Sequence, residues 1–153
     1  MKNTGAQCKT LKASAELRSS LESAGNRKHY ASDDILFRED DGNVGVFFLL
    51  KGKVLMSVKN LPKLDRLFST GSVLGLPSTF TGHPYSLTAL AVTEAEIVQV
   101  PQEAFLQLMR ERPDLCGEAA EMLGREVNFI HSALAERRKR SVARKLACET
   151  AVS

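Results

Sequence analysis

Between residues 28 and 101 turn-forming clusters recur so closely that nothing longer than a strand fits between most of them. They are Asp33-Asp34, the run Asp40, Asp41, Gly42 and Asn43, Gly52 between two lysines, Asn60 and Pro62 around Leu61, Thr70-Gly71, and Thr81, Gly82, His83 and Pro84. Each of these residue types favours reversal of the chain: glycine takes positive φ freely, proline fixes φ, and Asp or Asn bonds its own backbone. Short apolar runs separated by turns roughly every 8 to 12 residues indicate a β-sandwich, roll or barrel. The best strand candidates are 44–50, 54–59, 86–92 and 96–100, all rich in β-branched or aromatic residues. In 86–92 Leu87, Ala89 and Ala91 face one way while Leu90 and Val92 face the other, which predicts a strand between two packed layers.

On both sides of this region the apolar period becomes helical. Leu11, Ala15, Leu17 and Leu21 predict a short amphipathic helix over 10–25, ended by Gly25. Phe105, Leu106, Leu108 and Met109 predict a second over 102–112, stopped by Pro113. Asp114 then suits the N-cap of a longer helix reaching about Lys139, with Glu118 in its first turns to complement the dipole. In that helix Cys116, Ala120, Leu123, Val127, Ile130 and Leu134 alternate spacings of four and three, a heptad seam. Leu115, Ala119, Met122, Phe129 and Ala133 form a second stripe beside it. One stripe is expected to pack on the β region and the other on a partner helix, because an apolar stripe left in water is an exposed patch.

The chain of 153 residues, 43% hydrophobic, supplies one ordinary core. No apolar run approaches the ~18 residues that cross a bilayer, and the first residues lack a signal-peptide centre, so a cytoplasmic protein without membrane contact is expected. Cys8, Cys116 and Cys148 are odd in number and far apart, which speaks against a disulfide framework and against a zinc site. The net charge of +3 resides in the tail: Arg137, Arg138, Lys139, Arg140, Arg144 and Lys145 fall within nine residues without an acid, leaving −3 for the rest. No nucleophile elbow, P-loop, metalloprotease helix or paired-carboxylate site is present, so no enzyme is expected. The acidic runs Asp33-Asp34 and Glu39-Asp40-Asp41 read as turn formers rather than as a metal site.

The run GSVLGLPSTFTGHPYSLTALA over 71–91 looks like a phosphate-binding cassette. Upstream, Tyr30, Asp34-Ile-Leu-Phe, Glu39-Asp-Asp and Val46-Phe-Phe-Leu-Leu lead to Gly52 and Val54 in a similar order. From about Leu21 to Ala147 the chain resembles the cyclic-nucleotide-binding domains of Crp/Fnr-type bacterial transcription regulators. The resemblance implies an α+β, mainly β fold: a double-stranded β-roll (jelly-roll) with a short N-terminal helix and a long C-terminal dimerisation helix. It divides the chain into an N-terminal helical segment (1–25), the roll with its following short helix (26–113), the dimerisation helix (114–139) and a basic tail (140–153). Two family glycines correspond to Asp33 and Asp40, residues that tolerate left-handed turns.

The pattern also implies what the pocket lacks. Its lining would be Gly71, Leu74, Gly75, Leu76, Pro77, Ser78, Tyr85, Ser86 and Thr88. Leu76 stands where the family glutamate takes the ribose hydroxyl, and Tyr85 where its arginine takes the cyclic phosphate. A buried phosphodiester needs a cation, so affinity should fall by several kcal/mol, at about 1.5–3 per charged hydrogen bond, with more for an unpaired charge. Tight binding of cyclic AMP or cyclic GMP is therefore not expected, and no cofactor is required. Another small effector remains open, as does haem, for which His83 with Cys8 or His131 are the loose axial candidates. The resemblance further implies a homodimer through the seam residues and a basic tail that begins a helix-turn-helix. That motif needs about 20 residues with its recognition helix second, so DNA reading is expected only through a further C-terminal domain. The alternative is a ligand-free dimeric scaffold that recruits a protein, or phosphate non-specifically, through the basic run.

Overall fold

The computed structural model describes residues 12–152, with side chains described for 12–135 and 142–147. Helix α1 spans Ala15–Ala24 and is capped by Ser14, whose hydroxyl accepts the Leu17 amide at 3.2 Å. Eight strands follow: β1 (Asn26–Tyr30), β2 (Ile35–Phe37), β3 (Val46–Lys51), β4 (Val54–Ser57), β5 (Arg66–Phe68), β6 (Val73–Leu74), β7 (Thr88–Ala91) and β8 (Ala95–Val100). A 3-10 turn, Pro62–Leu64, joins β4 to β5, and helix α2, Leu76–Thr81, follows β6. Helices α3 (Gln102–Glu111) and α4 (Pro113–Val152) complete the chain.

The strands form two antiparallel four-stranded sheets, ordered β1-β8-β3-β6 and β2-β7-β4-β5, which make the expected β-roll. Strand β3 explains its own unbroken apolar run. Val46, Phe48 and Leu50 enter a core shared with Leu17, Leu21, Phe105 and Met109, while Phe47 and Leu49 enter the roll interior with Phe37, Phe68 and Ile97. A strand covered on both faces loses polar alternation. Asp33 and Asp40 hold φ of 76° and 72°, the left-handed turns expected where the family has glycine. Gly52 turns at φ 104°, and a Cβ there would meet the Glu94 carbonyl at 2.4 Å, so glycine is required twice over.

Three expectations are corrected. Strand β7 is covered on one face only: Leu87, Ala89 and Ala91 are buried, whereas Val92 is 42% exposed. Its outer Leu90 instead lies in a cross-strand row, Ile35, Leu90, Leu55 and Leu67, in which neighbouring aliphatic side chains shield one another. Asp114 does not cap α4; the helix begins one residue earlier at Pro113, whose missing N–H has no partner to lose there. Helix α4 also passes Lys139 without a break, since no glycine or proline follows Gly124 and Ala, Arg, Lys and Leu favour the helix. No helix of the described residues is long and apolar enough to cross a membrane.

The stripes of α4 divide as their chemistry suggests. Leu115, Ala119 and Met122 are buried against the helical side of the roll. Of the seam residues, Cys116, Leu123 and Ile130 are half-buried and Ala120 is exposed, while Val127 and Leu134 are 37% and 39% exposed. Glu118 serves α1 rather than its own helix dipole, accepting both the amide and the hydroxyl of Ser14 at 2.7 Å. Beside it Arg112 links Glu16 at 2.9 Å to Asp114 at 2.8 Å, which holds the Asp114 carboxyl below its ordinary pKa.

Candidate functional site: the cassette and the helix junction

Residues 71–91 contain no Asp, Glu, Lys or Arg. Gly75 starts α2 at φ 84° and Gly82 ends it at φ 78°, so two glycines set the bend between β6 and the loop leading to β7. Leu74 belongs to the roll interior, but Leu76 turns the other way, 1% exposed among the helix-side residues. The structure thus separates Leu76 from Tyr85. Ser78 is buried, with its carbonyl accepting from Gly82, and Pro77 and Gly71 are half-buried. Ser86 is exposed, and Thr88, half-buried, accepts the Glu39 amide at 3.0 Å.

Tyr85 occupies the roll interior, only 2% exposed. Its ring stacks on Phe37 with centroids 4.0 Å apart and lies 6.4 Å from that of Phe47. The hydroxyl donates to the Gly45 carbonyl at 2.6 Å and accepts the Val44 amide at 3.1 Å, so its polar tip is satisfied inside the core. Burial raises the phenol's pKa, the two backbone bonds opposing it. Backbone bonds from Asp40 to the Tyr85 carbonyl and from Tyr85 to the Asp41 carbonyl fasten the same residue to the preceding turn. Gly75 permits this packing, since a Cβ on it would stand 3.1 Å from the Tyr85 ring. The ammonium of Lys12, near the start of the cassette, is engaged by Ser69 Oγ at 2.7 Å and Ser72 Oγ at 3.3 Å. Tyr85 thus places in the roll interior an aromatic ring whose hydroxyl is held by backbone.

His83 and His131 are both exposed, and Cys8 lies outside the described residues. Among the described residues no cluster of three or more His, Cys, Asp or Glu is placed to hold a metal. In the basic run Arg144 and Lys145 are exposed on α4; the side chains of Arg137, Arg138, Lys139 and Arg140 lie outside the described ones.

A second group, not singled out in the sequence, stands where α4 leaves the roll. Arg66 of β5 points inward, 3% exposed, with its guanidinium between the rings of Phe68 and Phe129 at 4.7 and 4.4 Å. Its Nη2 lies 3.6 Å from Glu126 of α4, a carboxylate 6% exposed. Arg66 Nε and both Glu126 oxygens are buried without a hydrogen bond among the described residues. Burial outweighs the attraction of Arg66 and pushes the Glu126 carboxyl up to about 7. The signal was available: Glu126 continues the spacing of Leu115, Ala119 and Met122, so a carboxylate stands in an apolar stripe. Arg66 likewise alternates with the exposed Leu67 and the buried Phe68.

A roll of two four-stranded sheets followed by a long helix defines a class of fold, that of the cyclic-nucleotide-binding-like domains. The family model of the cyclic nucleotide-binding domain matches residues 27–112, and the chain belongs to that family. The nitrogen fixation regulation protein FixK of Bradyrhizobium diazoefficiens is 31% identical over 153 residues, covering 94% of this chain and 60% of FixK. Among solved structures, the catabolite activator protein of Thermus thermophilus superposes with a TM-score of 0.59 at 24% identity, over 90% of this chain and 60% of that one. The c-di-GMP responsive regulator CLP of Xanthomonas campestris gives 0.58 at 17% identity, over 84% and 63%. At these identities the two structures speak to the fold. The chain spans about 60% of the length of FixK and of the Thermus protein.

Proposed function

We propose that the chain is the regulatory ligand-sensing domain of a Crp/Fnr-like transcription regulator with a degenerate cyclic-nucleotide site. The observation that carries this reading is Tyr85, whose buried ring and backbone-bound hydroxyl stand in place of a phosphate-binding cation. Burying an anion beside it would leave the charge unpaired. The signal passes through α4: two copies pair along Cys116, Ala120, Leu123, Val127, Ile130 and Leu134, and reorientation of the pair addresses DNA through a C-terminal domain. The partly exposed seam beside a buried stripe supports that pairing. The effector is a small molecule other than cyclic AMP or cyclic GMP.

Titration calorimetry of the purified chain against cyclic AMP and cyclic GMP tests the first half, with no heat of binding expected up to millimolar nucleotide. Micromolar binding of either overturns it. The absorption spectrum is read on the same sample, where a Soret band would assign haem as the effector. A second reading, a dimeric scaffold without a ligand, is favoured by the same packing of Tyr85 on Phe37, which fills roll volume with the chain's own side chains.

A further inference from the structure

Helix α4 is buried on one stripe, Leu115, Ala119, Met122 and Glu126, and beyond Glu126 no described side chain of the helix is buried. The last buried side chain described on the helix is thus a carboxylate. It meets Arg66, whose guanidinium is clasped between a ring of the roll, Phe68, and a ring of the helix, Phe129. The pair is separated by 3.6 Å, and three of its polar atoms are buried without hydrogen bonds among the described residues.

Such a junction differs physically from apolar packing. Once Glu126 is ionised, two charges taken out of water lose hydration, and one attraction repays it poorly. When the helix swings out, both charges regain water, so undocking costs less than it would with aliphatic side chains at the two positions. Removal of one partner is a different matter, because the other then stays buried and unpaired while docked. The pair therefore holds the helix in place yet leaves the docked state open to release.

We propose that Arg66 and Glu126 form a releasable charge latch that sets whether α4 beyond Met122 stays docked on the roll, without a bound nucleotide. The proposal deepens the sensor reading and rests on it for the claim that the orientation of α4 carries the signal. The pair couples the roll to the output helix directly.

Amide hydrogen exchange on the full chain without ligand tests the latch, comparing residues 122–130 with strand β8 as internal reference. In Glu126→Leu and in Arg66→Met, exchange over 122–130 should rise about tenfold while β8 is unchanged, since an undocked helix end frays. In the double variant Arg66→Met with Glu126→Leu, the junction becomes apolar and exchange should fall to the wild-type rate or below. Arg66→Lys keeps the charge but loses the planar fork between the rings, and should lie between wild type and Arg66→Met. A double variant looser than either single one, or single variants in which β8 and α4 loosen equally, would overturn the proposal, leaving only general packing. Calorimetry with nucleotides addresses the sensor reading separately, because these exchange rates are measured without ligand.

Discussion

Tyr85 stacks on Phe37, with ring centroids 4.0 Å apart and planes inclined by 22°, and so ties residues 71–91 to the hydrophobic interior. Tyr85→Phe keeps the stack and removes both bonds of the hydroxyl, leaving the buried Gly45 carbonyl unpaired. A cost of about 1–3 kcal/mol is expected, seen as a fall in Tm of roughly 3–8 °C. Tyr85→Arg puts a cation in the roll interior but buries it without an anion, so a larger fall is expected. Cyclic AMP at about 1 mM should raise the Tm of Tyr85→Arg and leave wild type unmoved, by linkage of binding to folding. A nucleotide-dependent shift in wild type would contradict the degenerate site.

Gly75 supplies a separate check on the same packing. Its φ of 84° is left-handed, and a Cβ would stand 3.1 Å from the Tyr85 ring. Gly75→Ala should cost about 1–2 kcal/mol in backbone strain and displace the ring. The chain has two tyrosines and no tryptophan, so near-ultraviolet circular dichroism reads that displacement directly. An unchanged near-ultraviolet spectrum with an unchanged urea midpoint would show that the ring does not depend on Gly75.

The α4 seam leads to an expected oligomeric state. Ile130 is half-buried in the single chain, with Val127 and Leu134 more exposed on the same stripe. Wild type should sediment as a dimer at tens of micromolar, and Ile130→Lys as a monomer with the same far-ultraviolet spectrum, because a lysine pair at the seam repels across the two-fold axis. A monomeric wild type at that concentration would sink the seam assignment.

The fold was legible where residues act locally. Asp33 and Asp40 mark left-handed turns, 44–50 marks a strand that the fold forms as Val46–Lys51, and Leu17 with Leu21 mark the buried side of α1. Strands β5 and β6, three and two residues long, are too short for alternation to register. The cassette could be read as uncharged, but not that Leu76 and Tyr85 enter different cores, since that depends on how Gly75 turns the chain. Arg66 and Glu126 each break a visible pattern, but their pairing was not legible, because the two lie in separate parts of the chain and make sense only together.

That pair also fixes a dependence on pH. Helix α4 packs on α2, α3 and the 3-10 turn. Of these α2 has no ionisable side chain and the turn contributes Lys63, while Glu103, Arg110 and Glu111 of α3 are exposed. Arg66 is therefore the charge whose attraction opposes burial of Glu126. The folded chain holds the Glu126 proton up to about 7, against an ordinary 4.5. Between those values the folded state binds more protons than the unfolded state, so this group's contribution to stability falls as pH rises and levels off above about 7. The loss is on the order of 3 kcal/mol across the window. Glu126→Gln removes the titration, and other groups cancel in the comparison. Urea denaturation from about pH 5 to about pH 8 should therefore show wild-type stability declining relative to Glu126→Gln. Parallel curves for the two proteins would mean that Glu126 ionises in the folded chain as it does in water, with the helix end already undocked.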